Sequence, residues 1–344
     1  MRRRRSRGRG AESNSCGPRI ERTDGRLRCP FMPDSPRPFR FGIQASSAPD
    51  RSAWVGAARR YEELGYAALT MPDHFDGQLA PIPALQAVAD ATTTLRVGAL
   101  VHDNDYKHPL VLAKELATMD VLSDGRLEIG LGAGWMAVDY ERSGIPYDPP
   151  GVRVSRFIEG LEVIRGCLAD GPFSFSGEHY TITDYDGLPR PVQRPCPPIL
   201  IGGGGPRVLK FAARHADIVG INATLTSGAV DGSTFDSMSA EAVDTKHQIV
   251  VEAAGERMAQ IEMNVRAFLV QVTDDVSGAI DAIAAFTGAA SDMIAESPFA
   301  LIGPPSKLVE DLLARRERWG FSYVIVGPDE AEAFAPVVAE LSGR

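Results

Sequence analysis

The chain has 344 residues, 44% of them hydrophobic and 24% charged, so a fully disordered chain, a collagen-like fibre and a small staple-dependent scaffold are excluded. Its formal charge, 36 basic minus 45 acidic groups or -9, argues against a protein that coats nucleic acid or an anionic membrane. The charge is unevenly spread: residues 1–40 hold 12 basic and 4 acidic groups (+8), which leaves 24 against 41 (-17) for the remainder.

The opening MRRRRSRGRG is not followed by an apolar run of signal or spanning length, so neither export nor a membrane partner is expected. From Ala11 to Phe39 the composition is Arg, Gly, Ser and Pro without a period, which reads as disorder. Residues 1–38 are therefore taken as a disordered basic extension, compatible with an overcalled start upstream of Met32, and residues 39–344 as one folded domain. The competing reading of the head is a phosphate-binding arm, which requires binding that falls steeply with salt; no nucleic-acid partner is expected of the folded part. Cys16, Cys29, Cys167 and Cys196 show no CxxC spacing, so neither a zinc knuckle nor a disulfide framework is indicated and a reducing cytoplasm is expected.

Short β-rich runs then alternate with helical patterns. Strands are predicted for FRFGIQ (39–44), YAALTM (66–71), LRVGALV (95–101), RLEIGLG (126–132), PPILIG (197–202), ADIVGI (216–221), IEMNVRAFLV (261–270) and FSYVIVG (321–327). Helices fit over 52–64, 82–91, 108–122, 154–168, 206–215, 240–257, 275–287, 306–319 and 330–341. In the third, Leu112, Leu116 and Met119 recur at helical spacing, with Ala113 and Leu122 widening the apolar face. Eight strands, apolar enough to be covered on both sides and joined by crossover helices, predict an α/β fold, a closed (β/α)8 TIM barrel with insertions. Two insertions are expected, a hairpin within 171–197 and a Ser/Gly/Thr-rich segment over 224–235.

In such a barrel the chemistry sits where strands end on the C-terminal face. Strand two ends in Asp73-His74, strand three in His102-Asp103-Asn104-Asp105-Tyr106-Lys107-His108, strand four in Gly132-Ala133-Gly134-Trp135 and strand five in Gly202-Gly203-Gly204-Gly205-Pro206. Four glycines before a helix start suit a bound phosphate; the bland alternative, a tight turn, accounts for one or two of them. Gly132-x-Gly134-x-x-Ala137 formally matches a dinucleotide fingerprint, but it follows three βα units and no ribose-binding acid is well placed. Small residues there let a flat ring lie against the barrel mouth, with Trp135 as a stacking wall. Asp73 and His74 read equally as an acid/base pair or as a helix-capping Asp beside a packed His. The ligand types of the third loop match no standard metal spacing, so no metal is expected. No GxSxG elbow, P-loop or HExxH helix is present, which removes several hydrolase and kinase readings.

Taken in order, FGIQ, MPDHF, YKHPLVLAKELATMDVLSDGRLEIGLGAGW (106–135) and PPILIGGGGPRVLKFAARHADIVGI (197–221) resemble the bacterial-luciferase-like family of flavin and deazaflavin oxidoreductases over nearly all of 39–343. The resemblance implies that Asp73 and His74 lie beside the cofactor ring, that Ala99 and Leu100 form a bulge backing it, often with a non-prolyl cis peptide, and that Gly203, Gly204 and Gly205 hold its phosphate. Gly132, Ala133 and Gly134 complete the cofactor side, with Asn104 and Tyr106 towards the substrate. The DHF, GLGAGW and GGGGP segments resemble the F420 branch more closely. The expected function is hydride transfer between F420 and a small organic substrate, His74 moving the proton and Asp73 contacting the ring or orienting its neighbour. The alternative is an FMN-dependent luciferase-like monooxygenase, acting on paired donors with molecular oxygen. Trp135 stands where sugar-phosphate dehydrogenases of the F420 branch often carry an acid or amide, and their phosphate-binding lysines have no match, so a less polar substrate is implied. A homodimer is also implied.

Overall fold

The computed structural model describes residues 36–344 and, ahead of them, the backbone of a short antiparallel hairpin pairing Glu21–Thr23 with Arg26–Arg28. Of the residues 1–38 expected to be disordered, the hairpin segments and 36–38 depart from that expectation, Arg37 donating to Gln260 O (2.5 Å), and the rest lie outside the described residues. Asp24-Gly25, between the paired segments, is a sequence signal for a hairpin that composition alone passes over.

Eight parallel strands close into a barrel: β1 Arg40–Gln44, β2 Ala68–Met71, β3 Arg96–Ala99, β4 Leu127–Gly132, β5 Ile199–Gly203, β6 Ile218–Ile221, β7 Glu262–Arg266 and β8 Phe321–Val326. Each pairs with the next, β8 pairs with β1, and β4 with β5, so no barrel strand is left as an edge. The outer ring is α1 Arg51–Glu63, α2 Pro81–Ala91, α3 Pro109–Leu122, α4 Pro150–Leu168, α5 Pro206–His215, α6 Ala240–Ala254, α7 Pro305–Trp319 and α8 Ala331–Leu341. Proline opens α2, α3, α4, α5 and α7, where its missing N–H costs nothing and its fixed φ suits the first turn. Asp50 and Ser239 cap α1 and α6 by accepting from Ala53 N (2.8 Å) and Ala242 N (3.2 Å).

The main core lies between strands and helices, and a smaller cluster of Ala68, Leu200, Ile218, Tyr323 and Ile325 fills the barrel interior. Leu112, Ala113, Leu116 and Met119 of α3 are buried as their spacing predicts, whereas Leu122 is 58% exposed and faces away from the strands.

The excursion before β5 contains the expected hairpin, Phe173–Ser176 with Thr181–Tyr185, and the segment after β6 carries a short helix, Gly232–Asp236. A third insertion was not expected. The run 261–270 is not one strand: the barrel part ends at Arg266, and Leu269–Val272 pairs in parallel with Ala300–Gly303 in a separate two-stranded sheet. Helices Val276–Thr287 and Ser291–Glu296 join these strands over a small core that includes Ala279, Ile294 and Ile302. The physical reason is partner length. β8 offers only Phe321–Val326 for pairing, so a longer β run must find its next hydrogen bonds elsewhere. Among the described residues no helix is long and apolar enough to cross a membrane.

Candidate active site

His74 follows β2 and reaches Asp139 on the short helix Ala137–Ser143. Its Nδ1 donates to Asp139 Oδ2 (2.7 Å), and Tyr106 Oη donates to the same oxygen (3.0 Å). Asp139 is fully buried while His74 keeps 20% of its side chain exposed, so the carboxylate anchors the ring and fixes the tautomer. No described residue bonds Nε2, which stands as an acceptor or, once protonated, a donor. Trp135 packs edge-on to the imidazole at 5.7 Å, and Phe75 lies against Tyr106 at 4.4 Å with the rings tilted by 32°. The reading of His74 as a packed, satisfied side chain thus accounts for one ring nitrogen only.

Asp73 does not orient His74. Its Oδ2 accepts from Asp103 N (3.2 Å) and lies 3.4 Å from His102 Nδ1, so it ties the third loop to the second. Asp103 is buried, accepts from Tyr140 Oη (3.0 Å) and from Asp105 N (2.9 Å), and is pushed up to about 7 by burial, with the Asp105 and Asp73 carboxylates adding to the rise. Asp105 is held by Arg156, and His108 caps α3 by accepting from Leu110 N. The four ligand types of this loop are therefore each engaged within the protein. Asn104 is buried, donates to Tyr180 Oη (3.1 Å) and presses on Gly160, so it does not line the mouth as expected. Tyr106 does lie beside His74, through Asp139.

Ala99 ends β3, buried; Leu100 donates from its N–H to Met71 O (2.7 Å) and accepts from Gln44 Nε2 (3.0 Å). The non-prolyl cis peptide is Leu100–Val101, one bond further along than Ala99-Leu100. After β4, Gly132 and Gly134 have packing reasons of their own. A Cβ on Gly132 falls 2.6 Å from Val101 Cγ2, and Gly134, at φ +71°, lies against Tyr140 Oη. Ala133 is half-buried between them, and Arg153 donates to Gly134 O (2.5 Å), pinning the turn.

At β5 the glycines divide. A Cβ on Gly203 meets Val208 Cγ1 (2.6 Å), so this glycine lets α5 fold back on the strand, and one on Gly204 meets Ala223 O (2.3 Å), so this one lets the β5 and β6 loops approach. Gly205 is the N-cap of α5, has no side-chain cap, and faces open space. Lys246 of α6 donates to Asn222 O (2.8 Å) and Ser237 O (2.7 Å); burial pushes it down to about 8, and it places positive charge beneath the Gly204 turn. Sequence reasoning missed Asp139 and Lys246. The short helix of Asp139 had a signal in Gly144, its left-handed C-cap.

Residues 37–323 match the family model described as luciferase-like monooxygenase. The chain belongs to the luciferase-like monooxygenase family. Among luciferase-like relatives, the F420-dependent glucose-6-phosphate dehydrogenase of Amycolatopsis mediterranei is 32% identical over 47% of this chain and 51% of that protein. The FMNH(2)-dependent dimethylsulfone monooxygenase of Pseudomonas putida is 28% identical over 51% of this chain and 48% of that one. The chain thus spans about half the length of the curated relatives it matches, and relatives of both cofactor kinds occur. The coenzyme F420-dependent tetrahydromethanopterin reductase of Methanopyrus kandleri shares the fold, with a TM-score of 0.69 at 21% identity over 88% of this chain and 98% of that one.

Proposed function

We propose that this luciferase-like protein is an F420-dependent oxidoreductase that transfers a hydride between the deazaflavin and a small organic substrate. The observation that carries the reading is the His74–Asp139 pair: one imidazole nitrogen fixed by a buried carboxylate, the other free at a strand end on the C-terminal face. An oriented, half-exposed imidazole is what alcohol-to-carbonyl chemistry needs for the proton that accompanies the hydride. The resemblance of the DHF and GGGGP segments to the F420 branch supports the same choice.

The residues present fit a phosphorylated ring cofactor. The open face at Gly205, the uncapped first turn of α5 and the charge of Lys246 suit a phosphate. On this reading Asp73, Leu100 and the turn Gly132, Ala133 and Gly134, all at C-terminal strand ends, would border the ring. When bound, the deazaflavin supplies the two-electron chemistry at its C5. His74 accepts or returns the substrate proton at Nε2, Asp139 holds the ring orientation, and Trp135 packs edge-on against the imidazole.

The test is parallel titration with F420 and with reduced FMN, followed by absorbance and oxygen uptake. Saturable F420 binding with oxygen-independent substrate turnover supports the reading. Oxygen-coupled turnover with reduced FMN and none with F420 overturns it.

The assembly is proposed to be a homodimer through α2 and α3, where Ile82, Pro83, Val111, Met119 and Leu122 line an open apolar groove and Val111 and Leu122 are exposed. A second copy brings the same apolar residues to the same groove. Leu122→Glu should halve the mass measured by light scattering; an unchanged mass, or a monomeric parent protein, rejects this interface.

A further inference from the structure

Along β7 the polar residues Glu262, Asn264 and Arg266 alternate with the buried Met263 and Val265, which turns the polar set towards the barrel axis. Glu262 is paired with Arg40 and Asn264 donates to Tyr323 O (2.9 Å). Arg266, at the mouth, is different. Its Nε donates to Gln44 Oε1 (2.9 Å), Nη1 donates to Ala267 O, and among the described residues Nη2 has no acceptor. Among the described residues no carboxylate forms an ion pair with it. Burial lowers its pKa to about 10, the mark of a cation taken from water without a counter-charge.

Three other arginines without a carboxylate are accounted for. Arg257 and Arg315 each give both terminal nitrogens to backbone carbonyls, and Arg153 uses Nε, Nη1 and Nη2. Arg266 alone of these four keeps a terminal nitrogen open. Arg37, Arg165 and Arg316 also lack a carboxylate and leave a terminal nitrogen without an acceptor among the described residues. They lie ahead of β1 and on the outer helices α4 and α7, not at a C-terminal strand end. Gln44 holds Arg266 in place, because the Gln44 amide is itself fixed by donating to Leu100 O (3.0 Å). The side chain is therefore positioned in advance, and its guanidinium carbon lies 5.1 Å from the ring centroid of Phe268, which is 46% exposed.

The arc of the mouth decides what this cation faces. The proposed phosphate site takes the ends of β5 and β6, and the residues that border the ring belong to β2, β3 and β4. The ends of β7, β8 and β1 remain, occupied by Arg266, Gly327 and Gln44, and Gly327 contributes no side chain to that space.

We propose that Arg266 determines substrate specificity by binding a carboxylate on an otherwise apolar substrate, seated over β7 and β8 beside Phe268. This rests on the reading of the barrel mouth as the redox site. A carboxylate accepts a charge-assisted hydrogen bond from Nη2 and supplies the missing counter-charge. The less polar substrate implied by the sequence is thereby given one polar end: apolar contacts to Phe268 and Trp135 for its body, and a single anionic group for Arg266.

The experiment uses butyrate and butyramide, matched in shape and differing in charge, titrated by calorimetry into the full-length protein with and without F420. The expected result is butyrate binding at least tenfold tighter than butyramide, retained when F420 is present, and lost in Arg266→Gln but partly kept in Arg266→Lys. Equal affinity of the two probes overturns the proposal, as does undiminished discrimination in Arg266→Gln. Displacement of butyrate by F420 also overturns it, because the anion recognised then belongs to the cofactor. Should Arg266→Gln fail to fold, the probe pair and the F420 competition on the parent protein still decide. Butyrate discrimination in a protein that does not bind F420 rejects the cofactor reading and leaves Arg266 as the anion site.

Discussion

The two ends of one barrel treat interior charge in opposite ways. At the N-terminal end, Arg40 forms two hydrogen bonds to Glu262 (2.8 and 2.7 Å) and one to Glu128, Arg96 reaches Glu128 (2.7 Å), and the Arg40 guanidinium lies 3.5 Å over the Tyr323 ring. Two cations meet two anions, and the Glu128 carboxyl is held below its usual range despite its burial, by Arg40 first and then Arg96. At the C-terminal end Asp105 is paired with Arg156, but three groups keep open capacity: His74 has Nε2 free, Asp103 is pushed up to about 7 by burial, and Arg266 lacks an anion. A closed network serves stability, whereas an open one keeps binding capacity for a ligand, and this asymmetry is what separates the stabilising and catalytic faces of such barrels.

The comparison can be broken from either end. The largest loss of stability from a substitution is expected for Arg40→Met, which leaves Glu262 without its cation and Glu128 with Arg96 alone; chemical denaturation should report a loss of about 3 kcal/mol. A loss under about 1 kcal/mol would show that the N-terminal network is not needed for stability.

Next is a pH dependence at the mouth. Asp103, raised to about 7, retains in the folded state a proton that the unfolded chain releases near its ordinary carboxylate value. Its contribution to stability is complete below the unfolded pKa and is lost as pH rises through the folded one, a fall of about 4 kcal/mol between roughly pH 4 and 7. Asp103→Asn should flatten the unfolding free energy over that window, and an identical slope in the variant removes the assignment. His74→Ala should lower turnover by roughly 100-fold with cofactor affinity kept, as expected for a lost proton-transfer group. A variant with parental turnover ends the role of His74.

The smallest effect is expected at Gly205, where φ is -85° and a side chain meets no neighbouring atom. Gly205→Val should leave the melting temperature unchanged and weaken cofactor binding by about tenfold, about 1.4 kcal/mol. Unaltered affinity counts against a phosphate at the start of α5.

How much of this was legible differs between residues. His74 was visible because a strand ended there, yet its partner Asp139 lies 65 positions away on a helix of one to two turns with no apolar period. Arg266 was hidden by reading 261–270 as one strand, which made a strand terminus look like a strand interior, although the alternation of Glu262, Asn264 and Arg266 was present. The glycines after β5 looked uniform, and only their neighbours separate Gly203, against the Val208 side chain, and Gly204, against the backbone after β6, from Gly205, which opens outward.

By itself the sequence determined the eight βα units, the prolines that open helices, and the strand ends where polar groups collect. These are local properties, written in periods of two and 3.6 residues and in turn chemistry. Tertiary structure alone decided which polar groups meet. Barrel closure brings Gln44 of β1 to Arg266 of β7, 222 residues apart, and Arg40 to Glu262 over the same separation. No local period encodes such a pair, because the partners are chosen by the register of the closing strands and by what each charge can find once water is excluded.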